Sequence, residues 1–540
     1  MDFRRRPRWA PGDNPRSTVS LHLTSRTMPR LHRPLATALL FVTAAFVADP
    51  VPVDWAMVAR IREEGLQRSR VGDLESYMTD VLGARLTLSE DMKEAQAWAM
   101  DEMKRIGLAN VAAEPYMDFG AAWDNEYVSL HMLEPDYQPM VGYPIAHTPG
   151  TRGKVTADAV IVDLQTRDDL AAWRGKLAGR AVLSTPPAAI DMAPLVNGTQ
   201  RLTAEELAAR ERTVIAPRPA GARRIANPAL VSAEERMAFF KSEGVAAVLE
   251  SQSGWIGAVR GFSRPGSRTD RWSAAGDSAA PVMIAITPEH YNRMYRILQR
   301  DIPVRVELEV RNRIGARSEQ AVNLVGEIPG SDLRSEVVMI GAHFDTWHAS
   351  PNASDNTSGV AVALEAARIL RAVGARPRRT IRVALWSGEE QGLWGSRAYV
   401  RQHFGNPGDS TVGKKPGYDR LYAYFNQDYG PGQYRGIYLQ GNEAARTLLT
   451  AWMEPFHDMG MTAVSNQSVG STDHIAFDEV GLPGFQFLQD RVPGGGGHTN
   501  LDFFDTIPVE DLMKNAVIMA SYAYHAAMSE TKMPRKSASQ

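Results

Sequence analysis

The 540-residue chain carries 62 acidic and 60 basic residues, a formal net charge of −2, 44% hydrophobic residues and no cysteine. Wholesale disorder is excluded by the composition, and a global basic field for nucleic acid by the charge. Without cysteine there are no disulfides, thiolate nucleophiles, iron–sulfur clusters or Cys-ligated zinc, so any metal must be held by His, Asp and Glu.

The first patterned segment is the apolar run Leu35–Ala48 (LATALLFVTAAFVA), preceded by Arg30, His32 and Arg33. A basic flank, an apolar stretch of this length and small residues before Asp49 read as a secretory signal cleaved within 45–48, with Met28 a candidate true start. The run is shorter than the roughly 20 residues of a membrane span. No later segment is apolar enough to span, so export to the periplasm or the medium is expected.

Helices follow at MVARIREEGL and SEDMKEAQAWAMDEMKRIGL, the second with Ser89 as cap and Gly107 as stop. Residues 112–145 alternate apolar and polar and predict strands. Over 146–310 short β-rich runs (TADAVIVDL, LAGRAVLS, GVAAVLES, APVMIAIT) are separated by Gly and Pro, with helices at TAEELAARER and SAEERMAFFKSEG. This block reads as a separate β-rich module inserted into the chain. From Ala321 the pattern becomes βα alternation. Strands are expected at NLVGEIPG, EVVMIGAHFDTW, RTIRVALWSGEE, LYAYFNQDYG, GIYLQG and PGFQFLQ. Helices are expected at SGVAVALEAARILRAVG, GSRAYVRQHF, EAARTLLTAWMEPFHDMG and VEDLMKNAVIMASYAYHAAM. Such alternation predicts an α/β fold with a mostly parallel (mixed) central sheet flanked by helices, and ligand sites at the carboxyl ends of the strands.

Those ends carry the chemistry. His343 and Asp345 follow the strand at VVMIGA, and Asp355 precedes the next helix. Glu389 and Glu390 follow VALWSG, Asp428 follows AYFNQ, and His498 follows GFQFL and a glycine run (494–497). Two imidazoles and several carboxylates suit zinc, cobalt or manganese. The set is too large for one tetrahedral ion and suits a pair about 3.5–4 Å apart sharing a carboxylate. Adjacent side chains on a strand point oppositely, so one glutamate of the pair can bind metal while the other stays free as a base. Each residue alone reads as ordinary surface or core; the ordered set does not. His348, His403, His457 and His474 are left as non-functional histidines. The glycine run reads equally as a floppy loop or as backbone that must fold tightly beside the substrate.

In that order, HFD, SDNTSG, SGEEQGLWGS, NQD and GHTN resemble the aminopeptidase Y and glutamate carboxypeptidase family of co-catalytic dizinc exopeptidases, with a phosphorylase/hydrolase-like fold. NLVGEIPG resembles that family's entry strand, and the inserted block resembles its protease-associated (PA) domain. The resemblance implies two zinc ions, with Co²⁺ or Mn²⁺ as substitutes. His343 and Asp428 would hold one, Glu390 and His498 the other, and Asp355 would bridge. Glu389 would be the general base, and Asp345 would accept the second N–H of His343 and orient it. It also implies a cis bond from Asp355 to Asn356. Asp473, in STDHIAF, and Arg491 are candidate substrate contacts. The expected organisation is a signal and upstream extension (1–48), a leading helical part of the peptidase domain (49–125), a PA-like insertion (126–312), a catalytic domain (313–530) and a tail (531–540).

The implied activity is that of a peptidase on short peptides, either aminopeptidase or carboxypeptidase/dipeptidase. The run His343, Asp345, Trp347 is similar to one in the carboxypeptidase-like branch. Rival readings are a glutaminyl cyclase-like acyltransferase, which uses one zinc, and a metal-free binding protein of the same fold. A serine hydrolase is disfavoured because no Gly-x-Ser-x-Gly elbow is present. A peptide is the expected partner. The sequence leaves the oligomeric state open, a homodimer among the options.

Overall fold

In the computed structural model of the chain, the described residues are 52–192, 201–213, 229–266, 280–492 and 497–536. The expected signal, Met28, glycines 494–496 and the end of the tail lie outside them. Leu333–His343 lies at the centre of the catalytic half of the sheet, between parallel neighbours Arg379–Trp386 and Leu421–Asn426. Gly484–Gln489 continues in parallel beside Leu421–Asn426. Tyr434–Tyr438 then runs antiparallel to Gly484–Gln489, with Ala463–Ser465 at the edge. On the other side Arg305–Ile328 pairs antiparallel with Arg379–Trp386. The mostly parallel, mixed sheet flanked by helices is therefore as the sequence led us to expect.

Two-residue periodicity explains why the central strands read as unbroken apolar runs. Val338, Ile340, Ala342, Ile381, Val383 and Leu385 pack on one face with the helices Ser358–Ala372 and Val509–Met528. Met339, Ala384 and Trp386 pack on the other with Tyr399 and Val400 of the helix Trp394–His403. Both faces are covered, so both must be apolar. The leading helices join the first of these cores through Ile61, Met92, Ala99 and Met103. In Glu90–Ile106, Ser89 accepts from the Met92 amide and Gly107 ends the helix at φ +91°. Acids occupy its first turn and bases its last, in keeping with the helix dipole. Of the helix expected over 443–460, Arg446–Met453 is α-helical, flanked by the 3₁₀ segments Glu443–Ala445 and Glu454–Met459. Pro455 has no N–H to continue the ladder there.

A long two-stranded ribbon runs from the catalytic half into residues 126–312. Ala109–Glu134 pairs antiparallel with Arg305–Ile328 from Ala109 opposite Glu327 to Glu134 opposite Arg305. Asn125 and Asn312 face each other across a single rung. Beyond it, Val155–Ile161 pairs with the far end of Arg305–Ile328, and Ala181–Leu183, Ala247–Glu250 and Met283–Ile286 follow in parallel. Two further cores form around this sheet, one from Ala181, Leu249 and Ile284, the other from Val182, Val248 and Phe240. The helices expected at 203–212 and 232–243 are present as Ala204–Arg212 and Ala233–Glu243, each with a reciprocal Thr/Ser–Glu capping box. Ala204–Arg212 reaches over to the catalytic sheet, where Leu207 packs on Tyr438, Ala463 and Leu488.

Ile340 is fully buried at the centre of the sheet. Ile340→Ala is expected to lower the unfolding free energy by about 2–5 kcal/mol, measured by urea denaturation. An unchanged midpoint would contradict its central packing.

Candidate metal centre

His343 is the last residue of its strand, and the other groups leave neighbouring strand ends or the adjoining helix entrance. The structure brings His343, Glu389 and Asp428 together in one triad and Asp355, Glu390 and His498 in another, each with potential donor atoms within 4.8 Å of one another. Asp355 stands between them. Its Oδ1 is 3.3 Å from His343 Nε2 and its Oδ2 is 3.0 Å from His498 Nε2. Asp428 Oδ1 lies 3.1 Å from His343 Nε2, and Glu390 Oε2 lies 2.9 Å from His498 Nε2. Glu389 and Glu390 indeed point into different triads.

The imidazole of His343 is oriented by its own strand end. Its Nδ1–H donates to the backbone carbonyl of Asp345 at 2.8 Å, which leaves Nε2 with a lone pair toward the carboxylates. Here the structure corrects the expected role of Asp345, whose carboxylate lies 3.9 Å from that nitrogen. Its two oxygens instead accept the amides of Glu389 (3.1 Å) and Glu390 (3.2 Å). Asp345 thus fixes the turn that aims the glutamates apart. The bond from Asp355 to Asn356 is cis, as the resemblance implied.

Other supports were missed in the sequence. Asp502 accepts the Ser354 amide at 2.8 Å and the Asp355 amide at 3.3 Å. Only its place four residues after His498 could have hinted at this. Arg85, fully buried, comes from the leading segment. It donates to the Phe344 carbonyl (2.9 Å) and to Thr357 Oγ1 (2.6 Å), pinning both sides of the site from behind. A lone Arg in a loop gives no sequence signal. Of the candidate substrate contacts, Asp473 is completely buried, and its charge acts on Glu389. Arg491 is exposed and acts on Tyr438; no described contact joins it to either triad. His474 is buried and His348 half-buried, and desolvation lowers them to about 3 and about 4. Gly497 approaches closely: a Cβ there would lie 3.2 Å from Asp355 Oδ2, a tight contact.

The electrostatics show what the cluster lacks. Burial raises Glu390 to about 7, partly offset by His498. Burial also pushes Glu389 well above the usual carboxylate range. Burial alone would lower His498, but Glu390 and Asp355 push it up to about 11. Negative charge is crowded in a dehydrated space, and Glu390 Oε1 is buried without a hydrogen-bond partner. Such a set calls for cations, and an all-oxygen-and-nitrogen donor set fits a divalent ion such as zinc.

Fold and site together define a metallohydrolase. Residues 323–523 match the model of peptidase family M28. Over that stretch the chain is similar to that family, and the site and the comparisons together support a metallopeptidase. It is 24% identical over 478 residues to carboxypeptidase Q of Bos taurus, covering 87% of this chain and 88% of that protein. It is 28% identical over 216 residues to a probable leucine aminopeptidase of Arthroderma otae, covering 37% of this chain and 57% of that one. In fold it resembles a peptidase M28 precursor from Shewanella amazonensis (TM-score 0.64, 22% identity, 89% of this chain and 98% of that one). It also resembles BSAP, a zinc aminopeptidase from Bacillus subtilis (TM-score 0.55, 17% identity, 85% and 95%).

Metal bound only by the folded chain stabilises it, by about 2.7 kcal/mol at a hundredfold excess over the dissociation constant. Dialysis against a chelator is therefore expected to lower the melting temperature, and added zinc to restore it. A melting temperature indifferent to both would count against a metal centre.

Proposed function

We propose that the protein is an exported co-catalytic dizinc exopeptidase that hydrolyses peptide bonds of short peptides, as an aminopeptidase or a carboxypeptidase/dipeptidase. The observation that carries this reading is the pair of triads with one oxygen of Asp355 directed to each. A single-ion acyltransferase would have no use for both. In this reading His343 and Asp428 hold one ion, Glu390 and His498 the other, and Asp355 is shared. When bound, the ions supply Lewis acidity for an attacking water and for the scissile carbonyl.

The chain's own contribution is orientation and proton transfer. Glu389 is buried within the first triad, where burial raises its affinity for a proton and bound cations would hold it ionised. It can accept the proton of the attacking water and deliver it to the leaving amine. Asp345 holds its backbone in place, and Asp473, fully buried nearby, is pushed up to about 7 by burial. The similarity to carboxypeptidase Q along both the leading and catalytic parts favours the carboxypeptidase/dipeptidase branch. Residues 49–125 serve as the leading part of the peptidase domain and 126–312 as a PA-like insertion. The apolar run before Asp49 supports export. Among the described residues no helix is long and apolar enough to cross a membrane.

Glu389→Gln is expected to retain metal, read by elemental analysis, while kcat on dipeptides falls by roughly 10²–10⁴. Full turnover with metal bound would remove Glu389 from its role.

A further inference from the structure

Resting on the peptidase reading above, we infer that Trp255 and Arg260, carried by the inserted block, form a side-chain subsite beside the metal centre that takes an apolar residue of the substrate and turns away a basic one. A pocket of about 320 Å³ is lined by Trp255, Ala258, Arg260, Gly497 and Thr499, with Gln252 at its border. That volume is at the lower end of small-molecule sites, about 300–1,000 Å³. One wall therefore comes from the insertion and the other from the loop that bears His498. Gly497 belongs to both the pocket and the centre: its backbone passes against Asp355. A side chain lodged there would belong to a residue next to the scissile bond.

The two walls are stitched together. The Gly261 amide donates to the His498 carbonyl at 2.7 Å, and Arg260 bridges to Thr499. Asn500 closes the seam: its Oδ1 accepts the Val259 amide at 2.6 Å and its Nδ2 donates to the Gly257 carbonyl at 3.1 Å. Behind them, Trp347 packs on His498 at 6.3 Å between ring centroids and shares a core with Ala146 and Phe262 of the insertion. Trp255 itself sits in the short strand Gly254–Trp255, paired with Ile190–Asp191. Its wall is thus held in register with the metal ligand rather than hanging free.

Chemistry sets the preference. Trp255 is half-buried and Ala258 buried, so they offer apolar surface to a substrate side chain. Arg260 is exposed, and no described carboxylate pairs with its guanidinium. Among the described residues no acidic one lines the pocket. A lysine or arginine side chain would enter against an uncompensated like charge, whereas an aliphatic or aromatic one would not.

The test uses the zinc-loaded full chain and the dipeptides Ala-Ala, Phe-Ala, Ala-Phe, Lys-Ala and Ala-Lys, compared by kcat/KM. Wild type is expected to favour one phenylalanine dipeptide over Ala-Ala by about tenfold or more, the scale of apolar side-chain discrimination. Trp255→Ala should abolish that ratio, and Trp255→Phe should keep most of it. Arg260→Glu should raise the lysine dipeptide of the same position about tenfold relative to Ala-Ala. Side-chain ratios unmoved in both Trp255→Ala and Arg260→Glu, with dipeptides still hydrolysed, would overturn the subsite alone. Wild type that binds zinc and hydrolyses none of the five would overturn it together with the peptidase reading.

Discussion

Asp355 is the point at which the catalytic half is most constrained. Its two oxygens face two imidazoles from strand ends far apart in sequence. Holding one carboxylate between His343 and His498, with three further carboxylates close by, concentrates negative charge where water is scarce. Such an arrangement persists only if the backbone on every side is fixed and cations balance it. Asp502 takes the amides leading into Asp355, Asp345 takes those of the glutamate turn, and Asn356 donates to the Gln427 carbonyl beside Asp428 at 2.8 Å. The backbone beside Asp355, the glutamate pair and Asp428 is thus held by partners from other segments.

This dependence explains the leading segment. Helices that look peripheral in sequence deliver Arg85 and Thr87 to the back of the site. Arg85 reaches Phe344 and Thr357, and Thr87 Oγ1 accepts the Gly388 amide at 3.1 Å. The inserted block has a comparable relation to the front. The ribbon of Ala109–Glu134 with Arg305–Ile328 runs through several bulges into the strands of 126–312, so these belong to the same sheet and are positioned by backbone hydrogen bonds. A loop at the block's tip can then be paired with the His498 loop.

The catalytic strands and helices were legible because both sheet faces are covered, which turns each strand into an apolar run and each helix into a capped, periodic segment. Ser89 and Gly107 mark their helix to the residue. The ligand-type residues were legible for a related reason: strand ends in such a fold converge, so His343, Glu389, Asp428 and His498 could be grouped without a structure. The role expected of Asp345 was legible only in part. A His-x-Asp spacing puts the carboxylate near the imidazole but does not fix which acceptor the ring takes, and the nearer backbone carbonyl takes it. The long strands were misjudged in extent, because alternation is interrupted at the bulges that let them twist.

What the sequence by itself determined was the chemistry available: oxygen and nitrogen donors, no sulfur, a parallel sheet to gather them, and two adjacent glutamates that a strand end must aim apart. These follow from residue types and local periodicity. Tertiary structure alone decided that Arg85 and Asp502 brace the turns and that Trp255 and Arg260 lie beside Gly497. Those relations join segments separated by tens to hundreds of residues. They are set by strand pairing and by the need to partner buried polar groups, neither of which leaves a local pattern in the chain.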